Sequence, residues 1–382
     1  YSQEPGGLEG LRNAVVDTIN DLVESMTGDL KINLNDINCV IAAGNTTMMH
    51  ILLMIPPDDI RKHPYIPVAT FLPVIRAAEA GIKINPRGLL ACLPAVASYV
   101  GGDISAGVLA SGIDDSPGLS MLIDLGTNGE IVLGNKDWLA CCACSAGPAF
   151  EGVGIESGVR AMEGAIQRVR ITKDFDVEYS VIGEVKPKGI CGSGLVDTVG
   201  ELLKSGVIDR QGKFREIKSK RLKGKTKTGN KEFVIAFANE TQTQKDIAIA
   251  EIDIQNLIRS KGAVYMGAYV MLKHMGLKFE NLTKIFVAGG LGTYLDIEKA
   301  IMMGLLPDLP LERFAFIGNS SIAGAKACLV SYEAMDKAAK IAKKMTYFEL
   351  STDPSFMNEY TSTLFLPHTD MDLFPSVKKI LG

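Results

Sequence analysis

Residues 123–131 constrain the fold most strongly, because their sequence IDLGTNGEI combines a strand, a turn with glycine at each end, and a second strand. Glycine can adopt the positive φ that tight hairpin turns require, and backbone N–H groups in such a turn can cradle a phosphate. The residues in position for this role are Gly126, Thr127, Asn128 and Gly129. Asp124, at the end of the first strand, could hold a phosphate-bound Mg²⁺. An ordinary hairpin has the same pattern, so the turn alone leaves both interpretations open.

Composition restricts the class of protein. Of the 382 residues, 47% are hydrophobic and 22% are charged, which is typical of a soluble α/β enzyme of one to three domains. The net charge of −4 argues against nucleic acid as a general partner. No apolar run approaches the roughly 18 residues of a membrane span, and no signal peptide is recognisable. The seven cysteines show no disulfide framework, which predicts a reducing, cytoplasmic location.

The first part of the chain, residues 1–115, alternates helices, strands and loops. The predicted elements are an amphipathic helix over 7–26, a buried strand over 38–43, a helix over 48–54, an irregular segment over 55–90 and a helix over 104–112. Gly44 and Asn45 follow the strand and precede a helix, which is the position at which open α/β sheets bind ligands. Asp103 stands directly before the small-residue helix, where a carboxylate could act as its N-cap.

The second part, residues 116–345, starts with the hairpin and is followed by a C-terminal tail, 346–382, which we expect to pack back on the body. The predicted elements are strands at 119–125, 129–134, 137–144, 284–288 and 315–317, and helices over 192–205, over 253–275, after Asp296 and from Gly318. A β-rich insertion is predicted at 153–190, and a second insertion at 206–250 contains a basic run. Strands alternating with helices indicate a mixed α/β fold with two halves.

Four glycine-rich turns each follow a predicted strand, at 44–47, 126–129, 289–292 and 318–321. Glycine permits close backbone approach to a ligand, and the helix N-termini behind such turns favour anionic groups. Asp103 starts the small-residue helix that leads directly into the strand ending at Asp124. Two carboxylates brought to one site can hold Mg²⁺ and orient an attacking water.

These motifs together resemble the superfamily of actin, the sugar kinases and the heat-shock chaperone ATPases. The hairpin residues 124–129 are similar to its second phosphate-binding hairpin, residues 103–112 to its first connecting helix, and residues 287–292 to its adenosine motif. The resemblance implies two ribonuclease-H-like halves. It also implies that Asp103 and Asp124 arrange Mg²⁺ and water, that the hairpin binds phosphates, and that a set of residues contacts the nucleoside. That set is Lys261, Gly289, Gly290, Leu291 and Gly292.

Further motifs resemble a narrower family, the reductive activators of corrinoid proteins. They are GNTTMMH at 44–50, AGPAFEG at 146–152, GSGLVD at 192–197 and FLPHTD at 365–370. This resemblance implies ATP-dependent return of a Co(II) corrinoid protein to Co(I), with a corrinoid protein as partner and a possible homodimer. Within the 146–152 motif, Glu151 is a candidate water-orienting base or, alternatively, a loop hydrogen-bond acceptor.

The sequence departs from the family pattern at its start. The first phosphate hairpin of the superfamily, of the type Asp-x-Gly-Thr-Thr, is expected upstream of the helix that begins at Gly7, and it is absent. The spaced cysteines of an iron–sulfur domain are absent as well. We therefore expect the iron–sulfur cluster to lie in a longer parent protein, and we expect this chain alone to bind ATP weakly or not at all.

Other functions remain open at this stage. The same superfamily includes small-molecule kinases, which would release a phosphorylated product. A nucleotide-dependent scaffold that does not hydrolyse ATP is a second alternative. An activator of a radical dehydratase is a third. It would bind a cluster through this chain's cysteines, and the close spacing of Cys141, Cys142 and Cys144 argues against that.

Overall fold

The computed structural model describes residues 1–224, 231–291 and 295–382. The chain divides into two compact units. Unit 1 comprises Tyr1–Leu122, Val132–Cys142 and Asn319–Phe348, and unit 2 comprises Ile123–Ile131, Ala143–Gly318 and Glu349–Gly382. In the part of the chain that the structure describes, no helix is both long and apolar enough to span a membrane.

The helices and strands follow in chain order. The α-helices are α1 (Gly7–Leu30), α2 (Thr46–Leu52), α3 (Gly102–Ser111), α4 (Gly192–Lys204), α5 (Glu251–His274), α6 (Ile297–Met303), α7 (Ser320–Val330), α8 (Tyr332–Lys344), α9 (Phe356–Thr363) and α10 (Pro375–Leu381). The first strands are β1 (Cys39–Ala42), β2 (Ile75–Arg76), β3 (Leu89–Cys92), β4 (Ser120–Leu125), β5 (Gly129–Gly134), β6 (Leu139–Cys144), β7 (Ala165–Ile171) and β8 (Val177–Val181). The remaining strands are β9 (Gly189–Ile190), β10 (Leu222–Lys223), β11 (Glu232–Ala236), β12 (Ile247–Ala250), β13 (Lys284–Ala288), β14 (Phe314–Gly318) and β15 (Met345–Tyr347).

In unit 1, a three-stranded sheet has the order β1-β3-β2, with β1 parallel to β3. The prediction that the β1 region is a buried strand was wrong about burial, because Cys39 is exposed and the rest of the strand is only half-buried. The prediction that 55–90 is irregular overlooked β2, which pairs with β3. Helix α1 runs past the predicted end at residue 26, because the chain leaves the helix only at the left-handed Lys31.

Small residues set the packing of α3 in unit 1. A Cβ atom added to Gly324 of α7 would lie 2.3 Å from the carbonyl oxygen of Ala106 on α3. A Cβ added to Gly107 would lie 3.0 Å from the Ser320 hydroxyl. The predicted small-residue helix is confirmed, and its composition allows α7 to approach its backbone closely.

In unit 2, α5 is a largely buried helix of 24 residues. Gly267 lets it approach β6, because an added Cβ would lie 2.1 Å from Cys144 Sγ. Strand β13 pairs in parallel with β14. The strands predicted for 153–190 are present as the sheet β8-β7-β9, and a further sheet, β10-β11-β12, lies in 222–250. In the tail, Leu366 and Phe374 are fully buried.

Candidate functional site

The β4–β5 turn has the predicted position but not the predicted backbone conformation. Neither Gly126 nor Gly129 has a positive φ, so the expectation that the turn uses glycine for this reason was wrong. Gly129 is instead required by packing, because an added Cβ would lie 2.9 Å from Val264 Cγ2 on α5. The Gly126 N–H donates to the Asn128 carbonyl oxygen at 3.0 Å. The side chains of Thr127 and Asn128 are exposed at the tip.

Gly289 brings the second glycine-rich turn of unit 2 directly against this hairpin. It has φ +94, and an added Cβ would lie 2.3 Å from the Leu125 carbonyl oxygen and 3.1 Å from Asp124 Oδ1. The Gly289 N–H donates to the Gly318 carbonyl oxygen at 3.0 Å. Two predicted motifs that are far apart in sequence therefore meet beside the Asp124 carboxylate.

At two positions in these turns, Gly126 and Gly290, nothing in the described structure requires a glycine. An alanine Cβ at Gly126 would meet only the Asn128 carbonyl oxygen, at 3.7 Å, and one at Gly290 would meet no atom of the described residues within 4 Å. Neither residue has a positive φ. Their missing side chains therefore leave space open at the hairpin. Gly292, predicted as a further contact, lies outside the described residues.

Glu151 is held on the hairpin by a direct hydrogen bond. The Thr127 hydroxyl donates to Glu151 Oε1 at 2.6 Å. Glu151 ends the short 3₁₀ turn Pro148–Glu151, and Gly152, with φ +81, terminates that turn. Glu151 thus acts as a hydrogen-bond acceptor, which was one of its two predicted roles, and its part as a base stays a prediction.

Gly192 is a residue of this site to which the sequence assigned no role. A Cβ added there would lie 2.1 Å from the Phe150 carbonyl oxygen and 2.7 Å from Leu291 Cδ1. The first residue of α4, the turn before Glu151 and the Gly289–Leu291 turn therefore meet at one glycine. The GSGLVD motif that contains Gly192 was recognised, but sequence spacing gave no indication of what it contacts.

Lys261 is completely buried on α5. Its Nζ donates to the carbonyl oxygens of Phe365 and Pro367, at 2.6 and 2.5 Å. Burial holds the pKa of this amine well below its usual range. The amine anchors the C-terminal tail, so the predicted contact with a nucleoside would require it to leave these carbonyls.

In unit 1, the predicted residues Gly44, Asn45 and Asp103 lie together. The Asn45 side chain caps α2 by accepting from the Met48 N–H at 2.9 Å. A Cβ added to Gly101 would lie 2.4 Å from Asn45 Cα and 2.6 Å from the Gly44 carbonyl oxygen. Gly101 thus holds the turn that follows β1 against the start of α3.

Asp103 is not the N-cap of α3, so that alternative was wrong. Gly101 is the cap, because the close approach to Gly44 and Asn45 makes the chain enter the helix two residues earlier. The Asp103 N–H donates to the Gly44 carbonyl oxygen at 3.4 Å, and its own carboxylate accepts from the Ile104 N–H at 2.9 Å. Burial raises the pKa of Asp103, against the opposing effect of these backbone N–H groups.

The carboxylates at this site can bind Mg²⁺ only if a bound ligand supplies further oxygen atoms to the ion. Among the described residues, no group of three or more His, Cys, Asp or Glu side chains could hold a metal. Mg²⁺ is commonly bound by one or two carboxylates together with phosphate oxygens and water. Asp124, beside the open space at Gly126 and Gly290, fits that pattern as a single carboxylate ligand.

Residues 118–378 match the family described as the C-terminal domain of RACo, the ASKHA domain, and residues 1–116 match the RACo middle region. The chain belongs to the RACo family. Its fold is accordingly a mixed α/β fold containing an ASKHA domain, and the predicted resemblance to reductive activators of corrinoid proteins is confirmed.

Three individual relatives have names that refer to the activation or reduction of corrinoid proteins. The chain is 32% identical over 370 residues to the corrinoid activation enzyme RamQ of Eubacterium limosum, covering 94% of this chain and 62% of that protein. It is 29% identical over 294 residues to the [Co(II) methylated amine-specific corrinoid protein] reductase of Methanosarcina barkeri, covering 71% and 50%. A solved structure of a reductive activator for corrinoid, iron–sulfur protein superposes with a TM-score of 0.93 and 49% identity, covering 98% and 60%. The chain thus spans between half and about three fifths of these relatives.

Proposed function

We propose that this chain is the ATP-binding and ATP-hydrolysing part of a reductive activator of a corrinoid protein. Its partner would be a corrinoid protein whose Co(II) form takes up one electron to become Co(I). The electron would come from an iron–sulfur domain outside this chain. The observation that carries the proposal is the packing of Gly289 against Leu125 and Asp124, which joins two predicted nucleotide motifs at one carboxylate.

The hairpin supplies what a phosphate group needs. Gly126 and Gly290 leave room for a ligand to approach the backbone, since no neighbouring atom of the described residues occupies the place of their missing side chains. The exposed Thr127 and Asn128 add polar groups at the tip. Backbone N–H groups in such a turn bind anions well because they carry fixed partial charges. We infer that Gly126–Gly129 contacts phosphates and that Gly289–Leu291 contacts the nucleoside.

The acidic residues divide the remaining tasks. Asp124 would hold Mg²⁺ together with the phosphates, and Glu151, fixed by the Thr127 hydroxyl, would orient water. For Asp103 we propose a role in Mg²⁺ and water binding, supported by its position at the start of α3 beside Gly44 and Asn45. When bound, ATP supplies the free energy of hydrolysis. Hydrolysis can drive activation only if the nucleotide states differ in affinity for the partner.

The finer fold assignment is part of the same proposal. We infer two ribonuclease-H-like halves, of which the first lacks its opening hairpin in this chain. The family match and the strand–turn–strand arrangement of β4 and β5 support this inference. Homodimer formation stays a prediction.

The test uses the full-length protein with its iron–sulfur domain reduced, mixed with its Co(II) corrinoid protein. The appearance of Co(I) is followed by absorbance, with ATP, without nucleotide, and with a non-hydrolysable analogue. We expect Thr127→Val to lower the ATP-dependent rate at least about tenfold, because a hydrogen bond at a charged site is lost. The matched control is Thr18→Val, on the exposed face of α1, whose hydroxyl donates only to the Ala14 carbonyl oxygen.

The outcomes separate the candidate functions. Equal rate and extent of Co(I) formation with and without ATP would refute the coupling. A phosphorylated small-molecule product would identify a kinase instead. Activation that survives in Asp103→Asn after loss of hydrolysis would identify a scaffold that responds to nucleotide binding alone.

A further inference from the structure

A cavity of about 910 Å³ lies in unit 2, away from the β4–β5 hairpin. Its walls are the β7–β8 hairpin, the buried helix α4 and the start of α6. The residues that the argument uses are Arg168, Lys173, Phe175, Asp197, Lys204 and Lys299. None of the residues proposed for nucleotide binding lines it. The β7–β8 segment belongs to the predicted insertion at 153–190, to which the proposed function gives no role.

A buried donor and a buried acceptor face each other in this cavity without a hydrogen-bond partner. Asp197 is 2% exposed, and its Oδ2 accepts from the Val169 N–H at 3.2 Å. Its Oδ1 and the buried Nη1 of Arg168 have no hydrogen-bond partner in the described residues. These two atoms are 3.6 Å apart, and the same Nη1 lies 3.7 Å from Asp296 Oδ2. Both contacts are ion pairs, but they are too long to be hydrogen bonds. Buried polar atoms normally have a partner, so a ligand or water is expected here.

Five cationic and four anionic side chains line the cavity, which leaves an excess of one positive charge. The other buried carboxylate, Glu201, is paired with Lys299 and accepts from the Ile171 N–H at 2.8 Å. Lys173 and Lys204 also line the cavity and are exposed, and neither makes an ion pair within the described residues. Two unpaired ammonium groups, beside a guanidinium whose buried Nη1 makes ion pairs but no hydrogen bond, favour an anionic ligand.

The turn of the β7–β8 hairpin is strained at the cavity. Phe175 has φ 63, a left-handed conformation that is unfavourable for a bulky L-residue. Phe175 lines the cavity and is half-buried. Such conformations cluster at binding sites, where the surrounding structure maintains them.

We propose that this cavity is a second ligand site, which binds a small molecule carrying an oxyanion, either a phosphate monoester or a carboxylate. Arg168 and Lys204 would donate hydrogen bonds to the oxyanion. The Asp197 carboxyl group would contact a hydroxyl of the ligand or, when protonated, would itself donate. Helix α4 also carries Gly192, which contacts the Glu151 turn. A ligand in the cavity would therefore contact the same helix that packs against the candidate nucleotide site.

The test is calorimetric titration of the full-length protein with inorganic phosphate in a Gly126→Ala background, which is chosen to block phosphate binding at the β4–β5 hairpin. We expect saturable binding that weakens at least about tenfold in Lys204→Met and in Arg168→Met. The matched control is Arg259→Met, which removes an exposed guanidinium of α5 outside the cavity. Lys204→Met is the decisive variant, because loss of Arg168 also leaves the buried Asp197 carboxylate without its ion-pair partner.

A second measurement uses sulfate, which keeps its charge over the pH range tested. Burial raises the pKa of Asp197 to about 6, and the charged groups that face it are Arg168 on β7, Asp296 before α6 and Lys299 on α6. Sulfate should therefore bind more tightly below pH ~6 than above it, and Asp197→Asn should abolish this dependence. Absence of phosphate binding in the Gly126→Ala background would overturn the proposal. So would equal affinity in Lys204→Met and Arg259→Met.

Discussion

Substitution of the glycines around Asp124 separates the proposed nucleotide-binding role of the hairpin from its structural role. Gly289→Ala places a Cβ 2.3 Å from the Leu125 carbonyl oxygen at φ +94. The left-handed conformation costs about 1–2 kcal/mol, and relieving the overlap costs about 1–3 kcal/mol more. We therefore expect a loss of about 3 kcal/mol in the free energy of unfolding. Gly126→Ala and Gly290→Ala meet no such obstacle and should change it by less than about 0.5 kcal/mol.

For ATP affinity we expect a large loss in Gly126→Ala, one of the two variants that leave stability almost unchanged. If phosphate approaches the backbone at Gly126, an added methyl group blocks that approach and removes at least one hydrogen bond to a charged group. Such a bond contributes about 1.5–3 kcal/mol, which corresponds to a loss of about tenfold or more in affinity. Gly126→Ala should therefore be as stable as the unmodified protein and yet bind ATP weakly.

The assay combines urea denaturation with equilibrium binding of ATP to the full-length protein. Gly28→Ala, on α1 in unit 1, is the matched control for ATP binding, since an added Cβ there meets no described atom within 4 Å. Normal ATP affinity in both Gly126→Ala and Gly290→Ala would refute the assignment of the hairpin. Unchanged stability of Gly289→Ala would refute the packing of its turn on Leu125.

Further predictions concern pH and helix capping. Because the pKa of Asp197 is about 6 in the folded state against an ordinary value of 3.8, the folded protein takes up this proton first as pH falls. Its free energy of unfolding should rise by about 1.4 kcal/mol from pH 7 to pH 5, and urea denaturation of Asp197→Asn should lack this rise. The lowered pKa of Lys261 has the opposite sign, so stability should increase through the alkaline range relative to Lys261→Met, measured in the same way. Asn45→Ala should lower the melting temperature, since loss of the α2 cap costs about 1 kcal/mol; an unchanged melting temperature would contradict this.

Local structure was largely predictable from the sequence. The strand predicted over 284–288 is β13, and the helix predicted over 253–275 agrees with α5 to within two residues at either end. Both have a hydrophobic pattern whose period identifies the element, and glycine or polar residues mark their ends. Strand β2, by contrast, is only two residues long, and such a strand has no recognisable period.

The candidate site was predictable as a set of motifs but not as a set of contacts. The sequence identified Thr127 and Glu151 separately, whereas their hydrogen bond depends on how the chain returns between them. Lys261 was placed correctly on its helix, but its burial against the tail carbonyls could not be inferred from residues so distant in sequence. Gly192 was missed as a contact residue for the same reason.

The hairpin at Asp124 shows where this division lies. The sequence alone determined that a strand, a turn with glycine at each end and a second strand occur there, because that information is local and depends on backbone propensity. Only the tertiary structure decided which of these glycines the packing requires. Gly129 makes room for α5, whereas at Gly126 the place of the missing side chain is open. Gly289 lets a distant turn reach the same carboxylate. Such distinctions depend on which atoms surround a residue, and residues far apart in sequence supply those atoms.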